Sequence, residues 1–158
     1  MKQKAAKLYI GIVASLGLIV LVASSINART SAIDPVMFVV ILALVGVAQR
    51  NPVVLFRSSA ISVAFAVKIA AYVLFGTPVA LWATIVVVAV NAYTPKPKPA
   101  RKVIFNFGQF MLSTYLASST YQILGGMVPP GAFVPTLLAV AVSAAVYFAT
   151  STALTAAR

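Results

Sequence analysis

The chain has 158 residues, of which 62% are hydrophobic and 8% charged, and its 12 Lys and Arg face a single acid, Asp34, for a formal net charge of +11. That apolar share and a mean hydropathy of +1.05 lie well above an ordinary soluble domain, which is roughly 45–50% apolar, so a water-soluble fold could not cover the surface. With no Cys, no His and one carboxylate, thiolate or imidazole metal ligation, disulfides, Cys/His nucleophile pairs, paired-carboxylate catalysis and an acidic proton relay are excluded; no cofactor, no metal and no enzyme activity are expected.

A helix rises about 1.5 Å per residue, so about 17–20 apolar residues cross a hydrocarbon core of about 30 Å. On that measure the sequence predicts an all-α polytopic membrane protein of six transmembrane helices. The first, Leu8 to Ile26, follows Lys2, Lys4 and Lys7 and precedes Ala23-Ser24-Ser25, a pattern shared with secretory signals. Its apolar run is long for a signal peptide, so it is read as a retained helix. The polar stretch Asn27 to Asp34 ends at Pro35, a residue suited to a helix's first turn, and the second span runs to Gln49. Arg50-Asn51-Pro52 ends it, and the residues up to Ser58 read as a short interfacial piece.

The third span is placed at Ser59 to Phe75 and the fourth at Pro78 to Tyr93, joined through Gly76-Thr77-Pro78 as a tight antiparallel hairpin. Pro95-Lys96-Pro97-Lys98-Pro99 cannot continue a helix and is expected to stand as a stiff extended linker. The fifth span is Val103 to Leu124, and Gly125-Gly126 with Pro129-Pro130-Gly131 forms the loop before the sixth, Phe133 to Ala157.

The cations orient this arrangement. With both termini cytoplasmic, ten fall inside (Lys2, Lys4, Lys7, Arg50, Arg57, Lys96, Lys98, Arg101, Lys102 and Arg158) and only Arg29 outside, as the positive-inside rule requires. Tyr9, Tyr93 and Phe105 then approach the inner interface, and Trp82, Tyr121 and Phe133 the outer one. Because the cations lie between apolar runs, the reading is a multi-pass protein of the bacterial cytoplasmic (inner) membrane, attracted to anionic lipid, with no nucleic-acid partner.

Small residues recur at four-residue spacing: Gly11 with Ser15, Ala60 with Ala64, Ala66 with Ala70, Ala139 with Ser143, and Ala141 with Ala145 and Ala149. Such faces let helices approach closely in lipid. Asn106, Gln109, Ser113 and Thr120 share a face of the fifth helix, and Thr84 and Asn91 a face of the fourth. Amides in hydrocarbon need partners, so these faces turn inward, either to bond other helices or to line a ligand pocket.

Lys68 is the most unusual residue, well inside the third span with no carboxylate in any helix to pair with. It must snorkel outward, lose its proton, bond carbonyls or hydroxyls, reach Asp34, or meet an anionic ligand. The candidate ligand-binding or interhelical contact residues are therefore Lys68, Thr84, Asn91, Asn106, Gln109 and Ser113.

One order of features carries a resemblance. Ile61-Ser62-Val63-Ala64-Phe65-Ala66, Leu74-Phe75-Gly76-Thr77-Pro78, the basic linker, Lys102-Val103-Ile104-Phe105-Asn106 with Gln109 and Ser113, Leu124-Gly125-Gly126 and Tyr147-Phe148 follow one another. This resembles the amino-terminal membrane domains of bacterial cyclic-di-GMP signalling proteins with HD-GYP phosphodiesterase or GGDEF diguanylate cyclase output domains. The resemblance spans roughly Ser59 to Arg158. It implies a sensory or regulatory membrane module, here a truncated piece or a free-standing relative, with the connection to an output domain at Ala149 to Thr155. The Gly-Thr-Pro hairpin is also similar to the substrate-binding membrane component of energy-coupling-factor transporters.

Three functions follow as expectations. The first is a non-enzymatic membrane-embedded sensing, regulatory or interaction module that binds a lipid-phase or small apolar ligand. The second is a transporter's substrate-binding component with an energising partner. The third is a structural subunit of a larger membrane complex. Each has the lipid bilayer as a partner, together with another protein or a second copy of the chain.

Overall fold

The computed structural model of the chain describes residues 2–27, 34–51, 53–56, 59–61, 63–127 and 130–157. Arg29, Arg57 and Arg158, three of the orienting cations, lie outside the described residues, as do Ala28 to Ile33, Pro52, Ser58, Ser62 and Pro129.

Among the described residues six helices are present: α1 (Lys2–Asn27), α2 (Pro35–Arg50), α3 (Ala64–Phe75), α4 (Thr77–Tyr93), α5 (Ala100–Ile123) and α6 (Phe133–Ala156). Two of them, α1 and α6, are long and apolar enough to cross a membrane. The helices α2, α3 and α4 are apolar but shorter, at 16, 12 and 17 residues.

The class is all-helical as expected, with one local departure between α2 and α3, a small antiparallel hairpin of β1 (Val53–Phe56) and β2 (Ser59–Ile61). Val53 pairs with Ile61 and Val54 with Ala60, with an irregularity before Phe56 and Ser59. The Val-Val-Leu-Phe run supplies the β-branched and aromatic residues that strands favour. This shortens the third helix: it begins at Ala64 and not at Ser59, so Lys68 lies near its start and not deep within it.

The turns follow from local chemistry. Asp34, the chain's only acid, caps α2 by accepting the Val36 amide at 3.0 Å, and Pro35 fills the first position of that helix. Gly76 closes α3 at φ +88°, a conformation that suits glycine, and Thr77-Pro78 opens α4, giving the expected antiparallel hairpin. The linker after α4 is not extended as predicted. The Lys98 amide donates back to the Ala92 carbonyl at 2.8 Å, and Thr94 donates its amide and hydroxyl to the Val90 carbonyl. A helix end leaves its last carbonyls without intrahelical donors, and the fold-back satisfies them.

The central helix is α5, which packs against α6, α1 and α4, while α4 packs in turn on α2 and α3. One core cluster gathers Ile41, Tyr72, Val79, Ala80, Tyr121 and Ala139, and another Val45, Ala64, Ala83 and Val87. A third joins α1 to α5 through Ile10, Val13 and Phe105. The crossing of α1 over α5 is built on glycines: a Cβ on Gly108 would lie 2.3 Å from the Val13 carbonyl oxygen, and one on Gly17 2.8 Å from the Gly108 Cα.

That crossing corrects the small-residue reading. Around Gly11 the space is open and Ser15 is exposed, as are Ala66, Ala70, Ala141, Ala145 and Ala149. Ala139 with Ser143 is the predicted pair that is buried at both positions, and the Ala60 side chain lies outside the described residues. The aromatic assignments change as well. Tyr93, Trp82 and Phe133 are exposed, but Tyr121 and Phe105 are core residues, at 0% and 1% exposure.

Candidate functional site

Polar and apolar residues are distributed against the rule of a water-facing fold. Lys68, Thr84, Gln109, Ser113, Thr114, Ser118 and Ser143 are buried, whereas Leu16, Ile19, Val39, Leu44, Leu138 and Phe148 are among many exposed large apolar residues. The informative observation is the buried polar group, because each one needs a partner.

The partners converge on α6. Ser143, Tyr147, Ser151 and Thr155 stand four residues apart along it, and all four are bonded to another helix. Ser143 shares a hydrogen bond with Tyr72 of α3 at 2.6 Å, and Tyr147 accepts one from the Lys68 ammonium at 2.8 Å. Gln109 of α5 reaches the Ser151 hydroxyl and the Thr155 hydroxyl at 2.8 Å each, and the Ser151 carbonyl at 2.9 Å. Four residues overshoot a 3.6-residue turn by about 40°, so the row winds about 120° around α6 from Ser143 to Thr155. Its upper half therefore faces α3 and its lower half faces α5. Tyr9 of α1 adds a bond to the Leu154 carbonyl at 2.8 Å.

Lys68 is the centre of this arrangement. It is 4% exposed and sits among rings, with Nζ 5.6 Å from the Phe110 centroid and 4.4 Å from that of Tyr147. Because Nζ is bound to the Tyr147 hydroxyl, it does not sit over the middle of that ring, and the hydroxyl carries the contact. Phe65 packs on Tyr147 and Phe148 at 4.9 and 4.7 Å between centroids, closing the aromatic surround. Of the routes open to Lys68, bonding to a hydroxyl is the one observed. Asp34 is spent as an exposed helix cap.

The six predicted residues do not meet in one pocket. Thr84 donates to the Ala80 carbonyl at 2.8 Å and shares a 3.1 Å bond with Thr114, tying α4 to α5. Asn91 accepts from the Lys98 ammonium, which ties the end of α4 to the linker. Gln109 and Lys68 serve the α6 row from different helices. Asn106 is half-buried, and Ser113 is fully buried with a hydroxyl that has no partner. Thr120 bonds its own helix at the Leu116 carbonyl.

Sequence reasoning missed the α6 row although its signal is plain: hydroxyl residues four apart at 143, 147, 151 and 155 in a mostly apolar helix. It also missed Tyr72, Phe110 and Thr114, whose roles depend on which helices are neighbours.

A cavity of about 310 Å³ lies at the other end of α4, lined by Tyr93, Pro97, Lys98, Val103 and Ile104 among others. Burial, and secondarily the charge of Lys102, holds the Lys98 ammonium below the ordinary lysine value. Among the described residues no cluster of His, Cys, Asp and Glu that could hold a metal is present. Comparison of the chain with known protein families, with curated proteins and with solved structures gives no match.

Proposed function

We propose that the chain is a six-span module of the bacterial cytoplasmic membrane, with the start of α1 and the end of α6 inside, that senses or regulates without catalysis. Two facts support the topology: the inverted burial pattern, and the ten-to-one division of cations. An exposed apolar belt of this extent on a monomer marks a lipid or protein contact. The shorter helices cross where the bilayer thins around them.

The observation that carries the functional reading is the buried ammonium of Lys68, bound across to α6 through Tyr147. A cation within a bilayer costs up to about 2.5–3.5 kcal/mol on insertion scales, the value at a helix centre, and less toward a helix end such as that of Lys68. A hydrogen bond from a charged donor returns about 1.5–3 kcal/mol. These nearly cancel, so the α3–α6 contact is poised and not locked. A lipid-phase or small apolar ligand that enters beside Phe110 and the unpartnered Ser113 hydroxyl shifts the balance between two positions of α6. In the signalling family that the chain resembles, residues matching Ala149 to Thr155 lead to the output enzyme. Here the lower half of the hydroxyl row spans that same stretch.

The test has two parts. The chain has no cysteine, so Lys96→Cys and Gly131→Cys each introduce a single thiol, one before and one after α5. An impermeant maleimide should label Gly131→Cys from outside and Lys96→Cys only after permeabilisation; labelling of both from one side removes α5 as a span. Native mass spectrometry of the mildly extracted protein should show a bound small molecule that Lys68→Met loses. Release as a ligand-free monomer refutes the sensing reading, and one stable hetero-assembly with no small molecule favours a structural subunit.

A further inference from the structure

We infer that the groove between the end of α4 and the start of α5 holds the phosphate headgroup of an anionic phospholipid. This rests on the six-span reading only for placing the groove at the cytoplasmic interface.

The groove has the two chemistries such a lipid needs. Val103, Ile104 and Ala92 line its cavity of about 310 Å³ with apolar surface, and Ile104 and Tyr93 are exposed at 48% and 73%. Tyr93 offers an apolar ring and a polar tip, the character that favours a headgroup boundary. At the mouth, the linker fold-back turns Lys98 inward, and its ammonium donates to Asn91 Oδ1. That bond aims the group and uses one of three donors, leaving two for phosphate oxygens.

The surrounding charge has one sign. Lys96, Arg101 and Lys102 are exposed beside Lys98, and the segment from Asn91 to Ile104 contains no acid. The only acid, Asp34, stands at the start of α2, which packs alongside α4 so that Ile41 shares a cluster with Val79, Val45 one with Ala83 and Val87, and Gly46 lies against Val86. The two helices are therefore parallel, and Asp34 lies at the end away from the groove. The first turn of α5 has no acidic residue and no side-chain cap, so its positive helix end is uncompensated and adds to the field. Burial first, and the Lys102 charge second, lower the affinity of Lys98 for its proton, and an anion beside it would offset both. An anionic headgroup supplies that anion, while a zwitterionic one brings its own cation to the same mouth.

The experiment uses the full chain in mixed micelles equimolar in phosphatidylglycerol and phosphatidylcholine, with bound lipid counted by native mass spectrometry. The chain should retain phosphatidylglycerol over phosphatidylcholine by about fivefold or more, the worth of one well-placed cation at an anionic surface. Lys98→Gln should bring the ratio near parity, Lys98→Arg should keep it, and Lys4→Gln, a charge removed from the start of α1, should leave it unchanged. If Lys98→Gln does not fold, the exposed pair Arg101→Gln and Lys102→Gln should lower the ratio in its place. No preference in the unaltered chain overturns the proposal, as does an equal loss in Lys4→Gln and Lys98→Gln, which would mark diffuse attraction. Displacement of the lipid by added inorganic phosphate also overturns it. Micelles have no sides, so a wrong-side result for Lys96→Cys refutes the topology without touching this ratio.

Discussion

The helices α5 and α6 are equally long, 24 residues each, and they are each other's most extensive neighbours, yet they are built on opposite principles. Helix α6 is apolar enough to cross a membrane by itself, but only 11% of its most apolar window is buried. Helix α5 is central and carries four buried polar residues, Gln109, Ser113, Thr114 and Ser118, while Thr84 meets it from α4. It is not among the helices apolar enough to span unaided. Under the six-span reading the lesson is that hydrophobicity sorts outward. A helix facing lipid must be apolar, whereas one surrounded by helices is free to be polar where its neighbours supply hydrogen-bond partners. The small polar groups of α5 let it serve as a hub, and the hydroxyl row ties α6 to that hub and to α3.

The comparison breaks most easily at the glycine crossing. Gly108→Val should destabilise the protein by about 3 kcal/mol, at the upper end of overpacking costs, because the new side chain meets the Val13 backbone and not a flexible tip. Gly11→Ala should change stability by less than about 0.5 kcal/mol, since nothing lies near it. Thermal unfolding in mild detergent measures both. Equal effects would mean that α1 does not seat on α5 at Gly108.

Next in size is a prediction of opposite signs at one contact. Tyr147→Phe removes the hydroxyl that is the buried Lys68 ammonium's hydrogen-bond partner among the described residues, at a cost of about 2 kcal/mol. Lys68→Met removes the charge itself and should be neutral or stabilising by about 1 kcal/mol, as when a buried charge gives way to an apolar side chain of similar volume. In the double variant the loss from Tyr147→Phe should vanish. If Lys68→Met is as damaging as Tyr147→Phe, the ammonium has a partner beyond Tyr147.

Gln109→Leu follows, at about 1 kcal/mol, the range of interhelical hydrogen bonds measured in lipid. It severs α5 from both Ser151 and Thr155. The loss should appear in stability and also as faster hydrogen exchange confined to the last two turns of α6. Uniform exchange along α6 would show that Gln109 does not hold that end in particular.

These contacts also show what a sequence reveals and what it withholds. The Gly76-Thr77-Pro78 hairpin, the Pro35 helix start and the inward turn of Gln109 and Ser113 were legible because each depends on local geometry or on one helix's own spacing. The choice between Gly11 with Ser15 and Gly17 with Gly108 was not legible. In a helix rich in Ala, Gly and Ser several faces carry small residues four apart, and only the neighbour decides which is used. The same holds for Ala141, Ala145 and Ala149, whose stripe is exposed while Ala139 and Ser143 lie buried. The linker misled for another reason: its prolines do stop the helix, but the unpaired carbonyls at the end of α4 draw the Lys98 amide back. Lys68 was recognisable as costly, but Tyr147 lies 79 residues away and nothing local joins them.

The smallest effect separates the hub from the row most sharply, because it compares two serines that are both 0% exposed. Ser143 of α6 is bonded to Tyr72, whereas the Ser113 hydroxyl of α5 has no partner. Ser143→Ala strands the buried Tyr72 hydroxyl and should cost about 0.6 kcal/mol, the average for such a bond between membrane helices. Ser113→Ala removes a desolvated group that nothing repays and should be neutral or stabilising by about 0.5 kcal/mol. Measured in ligand-free detergent, opposite signs mean that α6 is held by its row of hydroxyls and that Ser113 is kept for something the empty bundle does not contain. A matching loss at both positions would mean that Ser113 already has a partner in the bundle, and the ligand site beside Phe110 would then lose its one unused polar group.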